Sequence, residues 1–404
     1  MINSILIVGG GTAGWWAAGY LEKQFPNYDI TLIESDTIPA IGVGESTLPQ
    51  IGQFFKDMGL QESDWMQECN AQHKFGNIKR NWDRPSGDPF AFTFWYNDDD
   101  VFDSWKQQYD AGKVDKHNIN DQLYHKSNWQ AVAYHLDAEK AGIVVKNHCK
   151  NVKHIVGTLD ELPPGYDLYL DCTGFRRKFV KDHTLISLNQ NHLVDRAWVC
   201  PYELHDTDTT GYTQTIARSN GWQFVADLTN RIGTGYVFSS KHQSESDALA
   251  EFNAANTHRT PFMNKTPRLL KWSPSVLANP WAENVVAIGL SNGFIEPLEA
   301  NVLFMTQFSI TTLAKCLKRG YGARAYNKLI AKVWQDNSSF IQHHYGLSTR
   351  SDTAFWQHYA DQNYSKSLWN HYKTTGNKYT NLWPNSIWAT LGLYYDDFKH
   401  YSVD

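Results

Sequence analysis

Apolar residues in this chain gather into short dense blocks set between long polar and aromatic stretches. Ile5-Leu6-Ile7-Val8 is an unbroken aliphatic run, the pattern of a parallel strand covered on both faces. It stops at Gly9-Gly10-Gly11-Thr12-Ala13-Gly14, and Trp15-Trp16-Ala17-Ala18-Gly19-Tyr20-Leu21 continues as a helix. A second strand, Ile30-Thr31-Leu32-Ile33, closes on Glu34. Two more strands of this type lie far downstream, Asp167–Cys172 and Val285–Ile288, each running into a glycine turn. Ile51, Phe54, Phe55 and Met58 recur at helical spacing until Gly59, and Ser63-Asp64 can cap a second helix through about Ala71. His73–Trp82 reads as extended, and regularity returns at Ala131–Asp137. Ala197–Ser240, rich in Thr, Tyr and Val and broken at Gly211, Gly221, Gly233 and Gly235, predicts an antiparallel sheet. Helices are predicted from about Ser244 to Asn256 and from Pro297 to about Lys318, with the proline near a first turn where its missing N–H costs nothing. The C-terminal stretch is helical and aromatic-rich. Residues 83–130 are weakly periodic, and their acidic run Asn97–Asp100 reads as a solvated loop.

This order predicts an α/β chain, α+β overall, in which one nucleotide-binding domain is assembled from separated segments. Residues 1–82, 131–180 and 273–325 form that domain; 83–130, 181–272 and 326–404 form an inserted lobe of mixed sheet and helices.

Gly9, Gly11 and Gly14 fit the G-x-G-x-x-G spacing of a dinucleotide cradle. The first allows the tight turn, the second lets backbone approach a pyrophosphate, and the third lets helix pack on strand. Thr12 and Ala13 open the helix, whose unpaired N–H groups face the phosphates. Glu34, twenty residues after Gly14, can accept the ribose hydroxyls. Gly42 and Gly44 mark further backbone that comes close to something.

Net charge of −5 without Lys/Arg runs argues against nucleic acid as a partner. Five scattered cysteines without C-x-x-C indicate neither a disulfide frame nor a zinc ribbon, and make a reducing cytoplasm the default compartment. No apolar run is long enough to span a membrane, and the strand at Ile5 leaves no room for a signal peptide. Sixteen tryptophans are many; packing explains most such excess, and stacking on a flat ligand is the alternative. Gly289-Leu290-Ser291-Asn292-Gly293 matches the G-x-S-x-G nucleophile elbow of hydrolases, but the helix signal waits for Pro297 rather than following the serine. His343 and His344 are adjacent and point apart on a helix, so no metal site is read there.

Several stretches together resemble the flavin-dependent halogenases, the tryptophan-halogenase type in particular. They are Gly9–Trp15, Gly42–Pro49, Glu68-Cys69-Asn70-Ala71 with Lys74 and Asn81-Trp82, Asp171–Arg176, Ala287–Leu290 and Gly293–Glu299. Arg350, Asp352-Thr353 and Phe355-Trp356 extend the likeness to about residue 360. The resemblance implies a Rossmann-like FAD-binding domain of the flavin monooxygenase/halogenase type with an inserted substrate lobe. It implies that FADH2 and O2 form a flavin hydroperoxide, that a halide attacks it, and that the hypohalous acid travels to a lysine, here Lys74. Glu299 matches the glutamate that stabilises the arenium cation and takes its proton; a helix first-turn glutamate complementing the dipole is the plainer reading. For Lys74 the plainer reading is a surface or salt-bridging lysine. Leu290 and Leu303 fall where the family contacts FAD, and Ala300-Asn301-Val302 falls on its halide site. One nucleotide fingerprint implies a separate flavin reductase supplying FADH2; a homo-oligomer is compatible with the sequence.

Two departures matter. The family's Ser-Thr-Gly at the halide site is Ala300-Asn301-Val302 here, which keeps backbone amides but loses hydroxyls and points to bromide or iodide over chloride. The family's W-x-W-x-I-P, which separates substrate from flavin, is Trp222-Gln223-Phe224-Val225-Ala226-Asp227. That keeps an aromatic monooxygenase as the alternative, ahead of a flavin-binding protein without catalysis. It argues against free tryptophan as substrate and for a small, electron-rich aromatic.

Overall fold

A computed structural model describes residues 2–38, 46–83, 85–86, 89–93, 107–108, 111–113, 132–180, 183–204, 210–258, 265–346 and 348–361. The chain divides into two compact units, one of residues 1–72, 134–192 and 272–334, the other of 73–133, 193–271 and 335–404.

In the first unit the aliphatic runs meet in one six-stranded sheet, ordered Trp281–Ala282, Val285–Ala287, Leu168–Asp171, Ser4–Val8, Asp29–Glu34 and Lys153–Val156. All neighbours are parallel except the first pair. Ile5, Leu6 and Ile7 are fully buried, which is why these three successive positions are all aliphatic. Register sets Val8 opposite Ile33 on one side and Asp171 on the other, with Ala287 opposite Asp171. Three turns distant in sequence, after Val8, Asp171 and Ala287, therefore open at the same carboxyl edge, where doubly wound sheets bind ligands. The mixed α/β architecture and its Rossmann-type parallel sheet are as the apolar blocks predict.

The second unit is built on an eight-stranded sheet. Its strands run Arg268–Lys271, Arg196–Val199, Arg231–Phe238, Gly221–Asp227, Tyr212–Arg218, Gly76–Arg80 and Phe90–Thr93, with Tyr202–Glu203 also paired to Arg231–Phe238. The sheet is mixed because Tyr212–Arg218 runs parallel to Gly76–Arg80. Ser244 caps the helix Glu245–Ala255 by accepting a hydrogen bond from the Asp247 amide at 3.1 Å, and Ala248 and Phe252 bury against Cys200, Tyr236 and Phe238. Much of the tryptophan excess is packing. Trp82 meets Tyr345 at 5.4 Å and Trp356 at 5.7 Å between ring centroids. The Arg350 guanidinium lies 4.5 Å over Trp356 and is held by both oxygens of Asp352.

Several expectations change. The helix expected from Pro297 begins at Asn301 and runs to Arg319, because Glu299 and Ala300 both adopt left-handed backbone at φ 62° and 57°. The second early helix is short, Glu62–Trp65, and is capped by Gln61 rather than Ser63. Helix Ala138–His148 was not legible: its buried face is largely small, Ala138, Ala141 and Gly142 beside Val144 and Val145, and gives a weak periodic signal. Strand Phe90–Thr93 lies within the weakly periodic stretch 83–130, where no element was expected; the run Asn97–Asp100, read as a solvated loop, is outside the described residues. No helix among the described residues is long and apolar enough to cross a membrane.

His192 in the first unit and His343 in the second are buried, and burial pushes each pKa from its ordinary 6.5 down to about 3. Between those values the unfolded chain binds more protons than the folded one, so stability falls as pH drops below about 6.5. The expected slope is about 1.4 kcal/mol per pH unit for each histidine. Thermal unfolding of His343→Gln followed from pH 7.5 to 4.5 should show a shallower decline than the parent.

Candidate active site

The carboxyl edge of the parallel sheet borders a cavity of about 840 Å³ within the first unit, a size typical of ligand sites. Gly9, Gly11, Thr12 and Ala13 form one wall, Glu34 and Lys146 lie on it, and Leu290, Val302, Leu303 and Thr306 also line it.

The loop is shaped by its glycines. Gly9 sits at φ +112°, and a Cβ there would stand 2.4 Å from the Cys172 carbonyl oxygen. A Cβ on Gly14 would lie 1.8 Å from the Gly9 oxygen, so that position sets the approach of helix to strand. Around Gly11 there is nothing within 4 Å. Gly11 caps helix Thr12–Gln24 without a side-chain acceptor, and no acid occupies the first turn. The first-turn amides thus face open space with a positive helix end behind them, an arrangement suited to a pyrophosphate. Thr12 points elsewhere: its hydroxyl donates to the Ala138 carbonyl at 2.8 Å.

Glu34 is more engaged than its position alone implies. Its Oε1 receives Lys146 Nζ at 2.6 Å and His154 Nε2 at 2.8 Å, and its Oε2 receives Trp15 Nε1 at 3.3 Å. Lys146 also stands 5.2 Å over the Trp15 ring. Burial raises the Glu34 pKa, but the hydrogen bonds from Lys146 and Trp15 and the nearby charges outweigh it, and the net shift is downward. Oε2 keeps a lone pair for a sugar hydroxyl. Gly10 makes room, since a Cβ there would be 1.7 Å from Oε2. Lys146→Met should raise the Kd for FAD about fivefold, the worth of a half-exposed ion pair, and leave FMN, which lacks the adenosine, unaffected in fluorescence titration.

Asp171 organises the other two turns. Its Oδ1 accepts from the Thr173 amide at 2.9 Å, the Thr173 hydroxyl at 2.7 Å and Ser291 Oγ at 3.0 Å, and its Oδ2 from the Phe179 amide at 2.8 Å. Ser291 is fully buried and lies 3.1 Å from the Gly174 carbonyl as well. A fully buried serine hydroxyl committed to a carboxylate is no nucleophile; the hydrolase reading is overturned.

Glu299, Ala300 and Asn301 are all buried at the start of helix Asn301–Arg319. Left-handed Ala300 followed by right-handed Asn301 suits the Asn301 and Val302 amides to an anion-binding concavity, while the Ala300 amide donates to the Pro297 carbonyl at 3.3 Å. Glu299 precedes the helix instead of lying in its first turn, so the dipole reading weakens. In the second unit Lys74 ends the strand Gln72–Lys74 and is fully buried, which removes the surface-lysine reading. There too, Phe224 pairs with Thr215 and Gly235 and fills the space of a Gly235 Cβ. Asp227 Oδ2 accepts from the Thr210 and Gly211 amides at 2.9 and 3.0 Å, which explains an acid where the resemblance expects proline. Gly44 lies outside the described residues. Sequence reasoning missed Lys146, His154 and the Asp171–Ser291 bond, pairings that no local pattern announces.

The tryptophan halogenase family model matches residues 4–393. Tryptophan 7-halogenase KtzQ of Kutzneria sp. (strain 744) is 29% identical over 88% of this chain and 78% of its own. Tryptophan 6-halogenase SttH of Streptomyces toxytricini is 29% identical over 88% and 80%. The crystal structure of a tryptophan halogenase from Shewanella frigidimarina superposes with a TM-score of 0.86 at 26% identity, covering 98% of this chain and 89% of that one. BrvH, a flavin-dependent halogenase from Brevundimonas sp. BAL3, gives 0.82 at 25%, covering 98% and 90%. With a glycine cradle, an acid at the second strand and three turns on one sheet edge, all within a family match that spans nearly the whole chain, this protein belongs to the tryptophan halogenase family of flavin-dependent halogenases.

Proposed function

We propose that this enzyme transfers an oxidised halogen to a small, electron-rich aromatic molecule, using FADH2 supplied by a separate reductase, O2 and a halide. The observation that carries the reading is the burial of Lys74. Burial places the amine away from bulk water at the position that the family resemblance gives to the relay lysine.

The first unit fits FAD. Open space at Gly11, the uncapped amides of Thr12 and Ala13, and the remaining lone pair of Glu34 suit the pyrophosphate and ribose; Leu290 and Leu303 on the same cavity wall suit the ring end. When bound and reduced, FAD supplies with O2 the two-electron oxidation of halide to hypohalous acid. The amides of Asn301 and Val302 hold the halide beforehand, at the turn that Ala300 shapes. The Lys74 amine then hydrogen-bonds the acid or exchanges with it, N–H plus HOX giving N–X and water, so that halogen is delivered from one fixed point. The Glu299 carboxylate stabilises the arene cation as the C–X bond forms, and takes the proton that leaves. Loss of the hydroxyls at the halide turn favours bromide or iodide, larger and easier to oxidise; equal turnover of chloride and iodide in competition would remove that preference.

Mass spectrometry of an indole and phenol panel, each with FADH2, O2 and one halide, tests the reaction. A product heavier by one halogen in place of hydrogen supports it. A gain of one oxygen instead assigns the enzyme to aromatic monooxygenation, the outcome that the Phe224 and Ala226-Asp227 replacements keep open.

A further inference from the structure

Asn301 is the first residue of helix Asn301–Arg319, is 2% exposed, and its Nδ2 has no hydrogen-bond partner. A buried donor left unmade destabilises a fold, and an alanine or leucine would remove that cost. Such a group in a native structure is met by a water, an ion or a ligand. The surroundings specify which kind. Asn301 belongs to the left-to-right-handed turn that suits its own amide and that of Val302 to an anion, at the positive end of a 19-residue helix, and Val302 and Leu303 beside it line the cavity. No acid other than Glu299 lies in that turn's first residues. The Asn301 Nδ2 and the Asn301 and Val302 amides are donors backed by the positive end of the helix, which suits them to a small anion.

We infer that the Asn301 carboxamide is a side-chain ligand of the halide, a specificity-determining donor that stands in for hydroxyls absent from Ala300-Asn301-Val302. The inference rests on the proposed placing of the halide at this turn. An amide N–H binds the denser charge of chloride more strongly than that of iodide, so Asn301 keeps chloride competitive at a turn otherwise suited to larger ions.

The test uses Asn301→Leu, close in volume and without a donor, and Asn301→Ser, which keeps one. In the FAD-loaded enzyme with halide varied, Asn301→Leu is expected to raise halide KM about tenfold or more, the worth of one hydrogen bond to a charge. The rise should be larger for chloride than for iodide. Asn301→Ser should stay near wild type, FAD affinity should not change, and the Tm of the flavin-free protein should stay level or rise. Crystals soaked in bromide add a readout independent of turnover: an anomalous peak at the turn in wild type that is lost in Asn301→Leu. An unchanged halide KM and peak in Asn301→Leu overturn the inference, as does a loss of FAD affinity in place of halide affinity. A bromide peak that depends on Asn301 in an enzyme forming no halogenated product upholds the anion site while defeating the proposed reaction.

Discussion

Lys74→Ala should abolish halogenated product while FADH2 is still oxidised. If the amine is the fixed point from which halogen reaches the arene, its loss leaves hypohalous acid to find substrate by diffusion. The expected fall is roughly 10³-fold or more, the scale of an advantage gained by holding reactants in place. FADH2 consumption should persist, because the flavin cradle lies in the other unit, and the oxidising equivalents should appear as free hypohalous acid that an added scavenger traps. Lys74→Arg should not rescue: guanidinium keeps the charge but is never a free amine. Product, trapped hypohalous acid and FADH2 are measured together. Retention of halogenated product by a folded Lys74→Ala would end the role of Lys74 as relay. A hydroxylated product retained by the same variant would favour the monooxygenase.

Gly14→Ala should prevent accumulation of the folded protein, whereas Gly11→Ala should fold normally and fail to hold FAD. The two glycines share one motif but meet different surroundings. A methyl at Gly14 would stand 1.8 Å from the Gly9 oxygen, backbone that cannot move without separating helix from strand. The cost is about 3 kcal/mol or more, a large part of the stability of an ordinary domain. Gly11 has φ −71°, which any residue adopts, and open space around its missing Cβ. A methyl there intrudes only where the cofactor would come. Soluble yield, Tm and FAD content separate the cases. A Gly11→Ala protein that binds FAD as tightly as wild type would show that the phosphates lie elsewhere.

The strands at Ile5, Leu168 and Val285, the glycine loop and the acid at position 34 were all legible, because each is set by neighbours within a few residues. Aliphatic runs have no exposed face to offer, and glycine spacing reflects steric demands made inside one turn. The same locality explains what was misread. Pro297 signals a helix start, yet left-handed Glu299 and Ala300 postpone it to Asn301, a conformation that ordinary L-residues adopt only when surrounding structure imposes it. Arg350, Asp352 and Trp356 stood out as a familiar motif, and their geometry shows them holding a packed aromatic core.

By itself, then, the sequence determined the parallel sheet, its cradle and the residues whose resemblance points to halogenation. Only the tertiary structure decided what those residues face. Lys146 meets Glu34 across 112 positions and Ser291 meets Asp171 across 120, and burial made Lys74 an amine out of water and Asn301 a donor without a partner. The physical reason is that secondary structure follows from short-range sterics and periodic burial. A site's chemistry depends on which distant groups share a small volume away from solvent, and that is settled when the chain packs.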